Sequence, residues 1–205
     1  MRDQPDTGLP SGASAVKGGR PLRADARRNR QRVLEVAAAA FTAEGLGVSV
    51  HEIARRAGVG TGTVSRHFPT KEALFQAIVL DRIERCVTTA RTLAETEEPG
   101  VAFFAYFAYM VDEGAADHAL ADALVGGGFD IEAAAARSEH DIMGALHQLL
   151  TAAQQTGSIR ADVDTADVRA LIAGCLARER AQADQAARQR MITIAYDGLR
   201  ARPIA

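Results

Sequence analysis

The stretch "HEIARRAGVGTGTVSRHFPTKEAL", from His51 to Leu74, decides how the chain is read. From Ile53 to Lys71 it holds no acidic residue, yet it carries Arg55, Arg56, Arg66, His67 and Lys71. Gly58, Gly60, Gly62 and Pro69 interrupt it, so it cannot be one continuous helix. Ser49-x-x-Glu52, just upstream, is a capping box that starts a helix at Val50. Ile53, Ala54 and Ala57 give this helix an inner face, and Gly58 stops it after about two turns. A further helix is predicted from Thr61 to Phe68. Val64 and Phe68 face inward, leaving Thr61, Thr63, Ser65, Arg66 and His67 on the other faces. Two short helices joined by the turn Gly58-Val59-Gly60 are the helix-turn-helix pattern.

That pattern suits a polyanion. A narrow helix with small polar residues outside can enter a DNA major groove about 12 Å wide. Gly60 and Gly62 let backbone approach phosphate, and amides at the start of the second helix attract anions. Carboxylates are missing because phosphates would repel them.

Working outward, Val33, Leu34, Ala37, Ala38 and Phe41 recur at helical steps in a first helix that settles from Ala24. Gly45 is its left-handed cap. Arg27, Arg28, Arg30 and Arg32 crowd its first turns, the end where the helix dipole favours acids. They are either a solvated face or a set of phosphate contacts. On the other side Pro69 ends the Thr61 helix, and Thr70 caps a fourth running from Lys71 to about Val87.

The whole chain has 205 residues, 47% of them apolar, with alanine dominant and no Trp. This mixture favours helix over sheet, and the predicted fold class is all-α. Net charge is −2, but it is unevenly spread. Residues 1–85 carry 14 Lys and Arg against 9 Asp and Glu, whereas residues 86–205 carry 10 against 17. A basic front and an acidic rear imply that only the front meets a polyanion. Cys86 and Cys175 are too few and too far apart for a disulfide framework or zinc knuckle. No run reaches the roughly 18 apolar residues of a spanning helix. Residues 1–22, rich in Gly, Pro and Ser, read as a disordered lead without the apolar centre of a signal peptide. A cytoplasmic protein with no membrane partner is expected.

The segment "IARRAGVGTGTVSRHFPTKEALFQAIV" resembles the DNA-binding part of TetR-type transcriptional regulators. The resemblance covers roughly residues 24–75 and includes Phe41 followed by a glycine, the Ala-Gly-Val turn, the His67-Phe68-Pro69 corner and Lys71-Glu72-Ala73-Leu74. It implies an all-helical homodimer: an N-terminal helix-turn-helix domain binds double-stranded operator DNA, and a larger C-terminal domain binds a small effector that releases it. Carried over by position, the resemblance makes Thr61 to Phe68 the recognition helix, with Thr61, Gly62, Thr63, Ser65, Arg66 and His67 nearest DNA. Lys71, with Ser49 or His51, contacts phosphates. One departure stands out: many members have tyrosine where this chain has Ser65, and a serine reaches less far. Arg66, often histidine in relatives, can compensate by taking guanine edges bidentately.

The remaining chain falls into residues 23–70, the DNA-binding domain, and residues 71–205, the effector and dimerisation domain. "RTLAETEEPG", Arg91 to Gly100, reads as an acidic loop or frayed helix end. Phe103, Phe104, Tyr106, Phe107 and Met110 crowd the next stretch and form either ordinary core or an aromatic-lined pocket. Phe129, Met143 and His147 complete the pocket candidates. Helices are predicted at Asp117–Val125 and from Asp130 to about Gln155, joined by Gly126-Gly127-Gly128. Two more, about Thr165–Arg180 and Ala183–Arg200, carry small and aliphatic stripes suited to a two-fold dimer. His118, Asp122, Glu139, His140 and His147 have no multi-ligand zinc spacing, so no metal is expected. No cofactor is implied either. Catalytic motifs lack supporting context, so the chain is not expected to be an enzyme. The alternative within the same fold is an activator or architectural DNA-binding protein without an effector.

Overall fold

The computed structural model describes residues 20–181 and 184–201, with backbone alone for residues 20–24 and 179–181. The lead expected over residues 1–22 therefore lies outside the described residues as far as residue 19, and helix begins at Arg20. The elements are α1 (Arg20–Glu44), α2 (Val50–Ala57), α3 (Thr61–His67), α4 (Lys71–Thr96), α5 (Pro99–Gly126), α6 (Ile131–Ala135), α7 (Ile142–Gln155), α8 (Thr165–Ala181) and α9 (Gln185–Leu199). No strand occurs among the described residues; one isolated bridge pairs Ile159 with Arg200. The all-α expectation holds. None of the described helices is long and apolar enough to cross a membrane.

Three boundaries differ from the sequence expectation. The acidic stretch after Arg91 is not a loop: α4 continues to Thr96, and only Glu97 and Glu98 separate it from α5. The aromatic stretch and the helix expected at Asp117–Val125 are one 28-residue helix. Gly114 does not break it, because the Leu176 side chain of α8 occupies the space a Cβ would need, with methyl carbons 2.8 and 2.9 Å away. Two acids of this helix, Glu113 and Asp117, are paired across to α4 arginines. Finally, the helix expected from Asp130 to Gln155 is two helices. Asp130 caps α6 by accepting from the Ala133 amide at 2.8 Å, and Asp141 caps α7 by accepting from Gly144 at 2.8 Å. Two N-caps eleven residues apart force a break between them.

The helices enclose two cores. Val33, Leu34 and Phe41 of α1 meet Ile53 of α2, Val64 of α3 and Leu74 and Phe75 of α4 in the first. Leu120 and Leu124 from the far end of α5 complete it. Phe75 packs edge-on against both Phe41, at 5.1 Å, and Phe129, at 5.7 Å. The second core gathers Phe103, Tyr106 and Phe107 of α5, Leu146, Leu149 and Leu150 of α7, and aliphatic residues of α8 and α9. Cys86 and Cys175 are free thiols in the interior, and burial pushes Cys86 up to about 11.

Between the cores, α4 and α5 are laced by charge. Arg82 pairs with Asp117 at 2.9 Å, and Arg85 with Glu113 at 3.1 Å. Gln31 of α1 donates to Asp81 of α4 at 3.4 Å. Burial, with neighbouring Glu113, raises Asp117 to about 6. A carboxyl raised in the folded state destabilises the fold as pH rises from about 4, its unfolded value, through 6, and not below. Asp117→Asn is expected to flatten that part of the stability–pH curve, measured by urea unfolding between pH 4 and 7. Leu124→Ala is expected to cost about 2–5 kcal/mol, as deletion of a buried leucine does. The loss should appear in melting of the α1–α3 unit, followed through amide exchange, although Leu124 lies outside it in sequence.

Candidate nucleic-acid interface and adjoining cleft

The turn between α2 and α3 is built as its glycines require. Gly58 sits at φ 66°, the left-handed region, and its amide bonds back to the last turn of α2. The Val59 amide donates to the Ala54 carbonyl at 3.1 Å, which closes the turn. α3 then starts at Gly60, whose carbonyl accepts from Thr63 at 2.9 Å. Val64 is 1% exposed and Phe68 4%, so both are core. Gly62, Ser65, Arg66 and His67 are exposed, and Thr61 and Thr63 half-exposed. No atom lies within 4 Å of where a Gly62 Cβ would stand, so the helix surface there is open to close approach.

Ser49 caps α2 by accepting from the Glu52 amide at 3.2 Å, one half of the expected capping box. The Glu52 side chain does not reach back. It takes Arg55 at 2.6 Å and Arg56 at 2.7 Å, and these guanidiniums hold its carboxyl down at about 2. Glu44, at the end of α1, takes the other edge of Arg56. Lys71 donates to the Leu46 carbonyl in the α1–α2 turn, with its ammonium 5.6 Å from the Phe41 ring centre.

The cations of the opening stretch thus divide into two groups. Arg55, Arg56 and Lys71 have partners within the chain. Arg66 and His67 are exposed beside α3 and have no ion-pair partner among the described residues. Arg30 of α1 lies over the Phe68 ring at 5.8 Å, which brings a further guanidinium to the end of α3. His51 is exposed in the first turn of α2, two residues after the capping Ser49. Reading the sequence missed the Glu44–Arg56 and Lys71–Leu46 links, since they join residues far apart in the chain.

The pocket candidates are not brought together. Phe103, Tyr106 and Phe107 are fully buried in the second core. Phe104 and Phe107 pack on Tyr196 of α9, at 4.5 and 5.8 Å, and the Tyr196 hydroxyl donates to the Phe104 carbonyl. Met110 borders the same core. Phe129 belongs to the first core, Met143 is exposed, and His147 meets the Thr165 hydroxyl at 3.1 Å on the surface. A cleft of about 460 Å³ opens instead between α4, α5 and α7. Its floor is small and apolar, including Ala90, Ala94, Ala102 and Ala145, and Arg91, Glu95, Glu139 and Asp141 stand around it. The signal in the sequence was this alanine spacing, which aromatic crowding overshadowed. Among the described residues no three His, Cys, Asp or Glu side chains gather as metal ligands.

A helix-turn-helix with an acid-free recognition helix, set on a larger helical body, defines a DNA-binding transcriptional regulator. Residues 33–78 match the bacterial regulatory proteins of the tetR family, and residues 98–201 match the C-terminal domain of SbtR-like transcriptional regulators. The chain belongs to the TetR family. A TetR transcription regulatory protein from Mycobacterium vanbaalenii shares 52% identity at a TM-score of 0.74, covering 88% of this chain and 99% of that one. The TetR transcriptional regulator SCO0520 from Streptomyces coelicolor shares 32% identity at a TM-score of 0.71, covering 84% and 98%. An HTH-type transcriptional regulator of Staphylococcus aureus (strain USA300) is 37% identical over 68 residues, a match spanning 33% of this chain and only 37% of that relative.

Because Arg66 is unpaired and Lys71 is not, their removal is expected to act differently. Arg66→Ala should lose about 1–3 kcal/mol of discrimination at one position of a bound sequence. Lys71→Ala should free the α1–α2 turn and weaken every duplex alike. Binding of each variant to a matched duplex and its single-base variants separates the two.

Proposed function

We propose that the chain is an effector-responsive repressor that binds a palindromic operator as a homodimer. A small molecule filling the cleft between α4, α5 and α7 releases the DNA. Thr61, Gly62, Thr63, Ser65, Arg66 and His67 face the bases, while Ser49, His51 and Lys71 serve the phosphate backbone. Lys71 acts partly by holding the α1–α2 turn.

The observation that carries this reading is the path of α5. Its first turn borders the cleft through Pro99 and Ala102, and its last turns lie in the first core through Leu120 and Leu124. A ligand that displaces one end moves the packing at the other. Helix α4 offers a second route, from Val87 and Ala90 in the cleft to Leu74 and Phe75 behind α3. The shift can be no larger than the ligand's difference in affinity between the DNA-bound and released arrangements.

The dimer reading rests on α8 and α9. Leu171 is 39% exposed and Ile194 64%, and both border a surface hollow with Gly174 and Gly198. A Cβ at either glycine would meet nothing within 4 Å. Glycine inside a helix costs about 1 kcal/mol relative to alanine, with no compensation inside this subunit. Close approach by the helices of a second copy supplies the reason. Gly174→Leu is expected to leave the helical circular dichroism unchanged, yet shift sedimentation toward monomer and weaken operator binding by about tenfold or more.

The direct test is selection of bound duplexes from a randomised pool, followed by binding of the winner over a salt series. A palindrome whose affinity falls steeply with salt is expected. Failure to enrich any sequence would overturn the operator reading. A chemically diverse small-molecule library, titrated against that complex, tests the effector. Compounds that occupy the cleft and leave operator affinity unchanged would remove release from the mechanism.

A further inference from the structure

Tyr106 carries a polar group that the fold does not use. The residue is fully buried, and its hydroxyl has no hydrogen-bond partner among the described residues. Cys86 and Tyr109 are the groups that bear on it electrostatically. The Tyr109 ring stacks on that of Tyr106 with centres 6.1 Å apart, and neither group gives the Tyr106 hydroxyl a hydrogen bond. Leaving a buried hydroxyl unpaired costs about 1–3 kcal/mol, whereas phenylalanine fills the same space without that cost. Phe103, Phe104 and Phe107 occupy the neighbouring positions, so an aromatic ring at this place does not require a phenol.

The position of Tyr106 relative to the cleft supplies a use. Ala102, one turn earlier on α5, lines the cleft. On α4 the same relation holds between Ala90, which lines it, and Cys86, which borders Tyr106. Tyr106 and Cys86 thus belong to the layer of residues one helical turn along α5 and α4 from a floor made of two alanines. Reaching the Tyr106 hydroxyl requires α4 and α5 to part at Ala90 and Ala102, the motion that carries a signal along both helices. Burial holds the phenol well above its ordinary value, so it stays protonated and acts as a donor. The rim has Glu95, Glu139 and Asp141 against Arg91, with His140 beside them, and this excess of carboxylates disfavours anions.

We infer that Tyr106 is the specificity-determining donor of the effector site, and that the effector is a neutral carbonyl compound with an apolar body. This rests on the effector reading above. The carbonyl oxygen accepts from the Tyr106 hydroxyl, the apolar body lies on the alanine floor, and the rim turns carboxylates and phenolates away. A cleft of about 460 Å³ is within the usual size of small-molecule sites, roughly 300–1,000 Å³.

The test uses the full-length protein with its tyrosines, Tyr106, Tyr109 and Tyr196, replaced by 3-fluorotyrosine. Tyr106→Phe assigns the Tyr106 fluorine resonance by its loss. The probes are aryl methyl ketones from acetophenone to acetonaphthone, each paired with the 1,1-disubstituted alkene of the same shape. At least one ketone is expected to bind about tenfold or more tightly than its alkene and to move the Tyr106 resonance. In Tyr106→Phe the preference should vanish, with alkene affinity unchanged and the unliganded melting temperature no lower than wild type. Absence of ketone binding, equal binding of ketone and alkene, or a preference that survives in Tyr106→Phe would overturn the inference. A different compound that releases operator equally from wild type and Tyr106→Phe would overturn it too, while leaving the effector reading intact.

Discussion

Leu120 and Leu124 lie on α5, yet they are buried among Phe41, Ile53, Leu74 and Phe75, in the core that holds α3 through Val64. Everything else in the molecule follows from that burial. α1 and the two short helices α2 and α3 share this core with α4, and the far end of α5 completes it. Gly127 shows how tight the joint is, since a Cβ there would stand 2.5 Å from a methyl of Leu46 in the α1–α2 turn. The same Leu46 gives its carbonyl to Lys71 of α4. Both long helices therefore grip one turn of the DNA-binding unit, and interiors packed in this way shift between discrete arrangements rather than deforming smoothly.

Electrostatics refine the charge of the helix-turn-helix surface by subtraction. Glu44 and Glu52 neutralise Arg55 and Arg56, and the turn carbonyl holds Lys71. What remains free beside α3 is Arg66 and His67, with Arg30 brought up by Phe68. The internal pairs brace α1 against α2, so the charges that do not reach outward still fix the angle at which α3 is presented. Exposed pairs of this kind contribute little to stability on their own. Their geometric role is larger than their energetic one.

Much of the DNA-binding unit was legible in the sequence because its signals are local. Ser49, Gly58, Pro69 and Thr70 each mark a boundary through a cap or a fixed backbone angle, and α2, α3 and the start of α4 fall where they indicate. Farther along, local signals misled. The aromatic run and the stretch Asp117–Val125 read as separate pieces, but α5 is one helix, with Leu176 from α8 packed where a Gly114 side chain would stand; the helix read from Asp130 to Gln155 is two, because Asp141 inside it is a second cap. The aromatic run from Phe103 reads as pocket or core with equal ease, because periodicity says which residues share a face and not what covers it. The cleft itself is lined by alanines, whose small size leaves space only when three separate helices are assembled.

Cys86 has a consequence of a different kind. With burial holding its thiol at about 11, only about one in ten thousand is ionised at neutral pH. Oxidants and electrophiles react with the thiolate, so burial slows the reaction of this sulfur in the folded protein. Cys175 is likewise buried and shifted upward. Both thiols therefore serve as small apolar packing groups of the interior rather than as exposed nucleophiles.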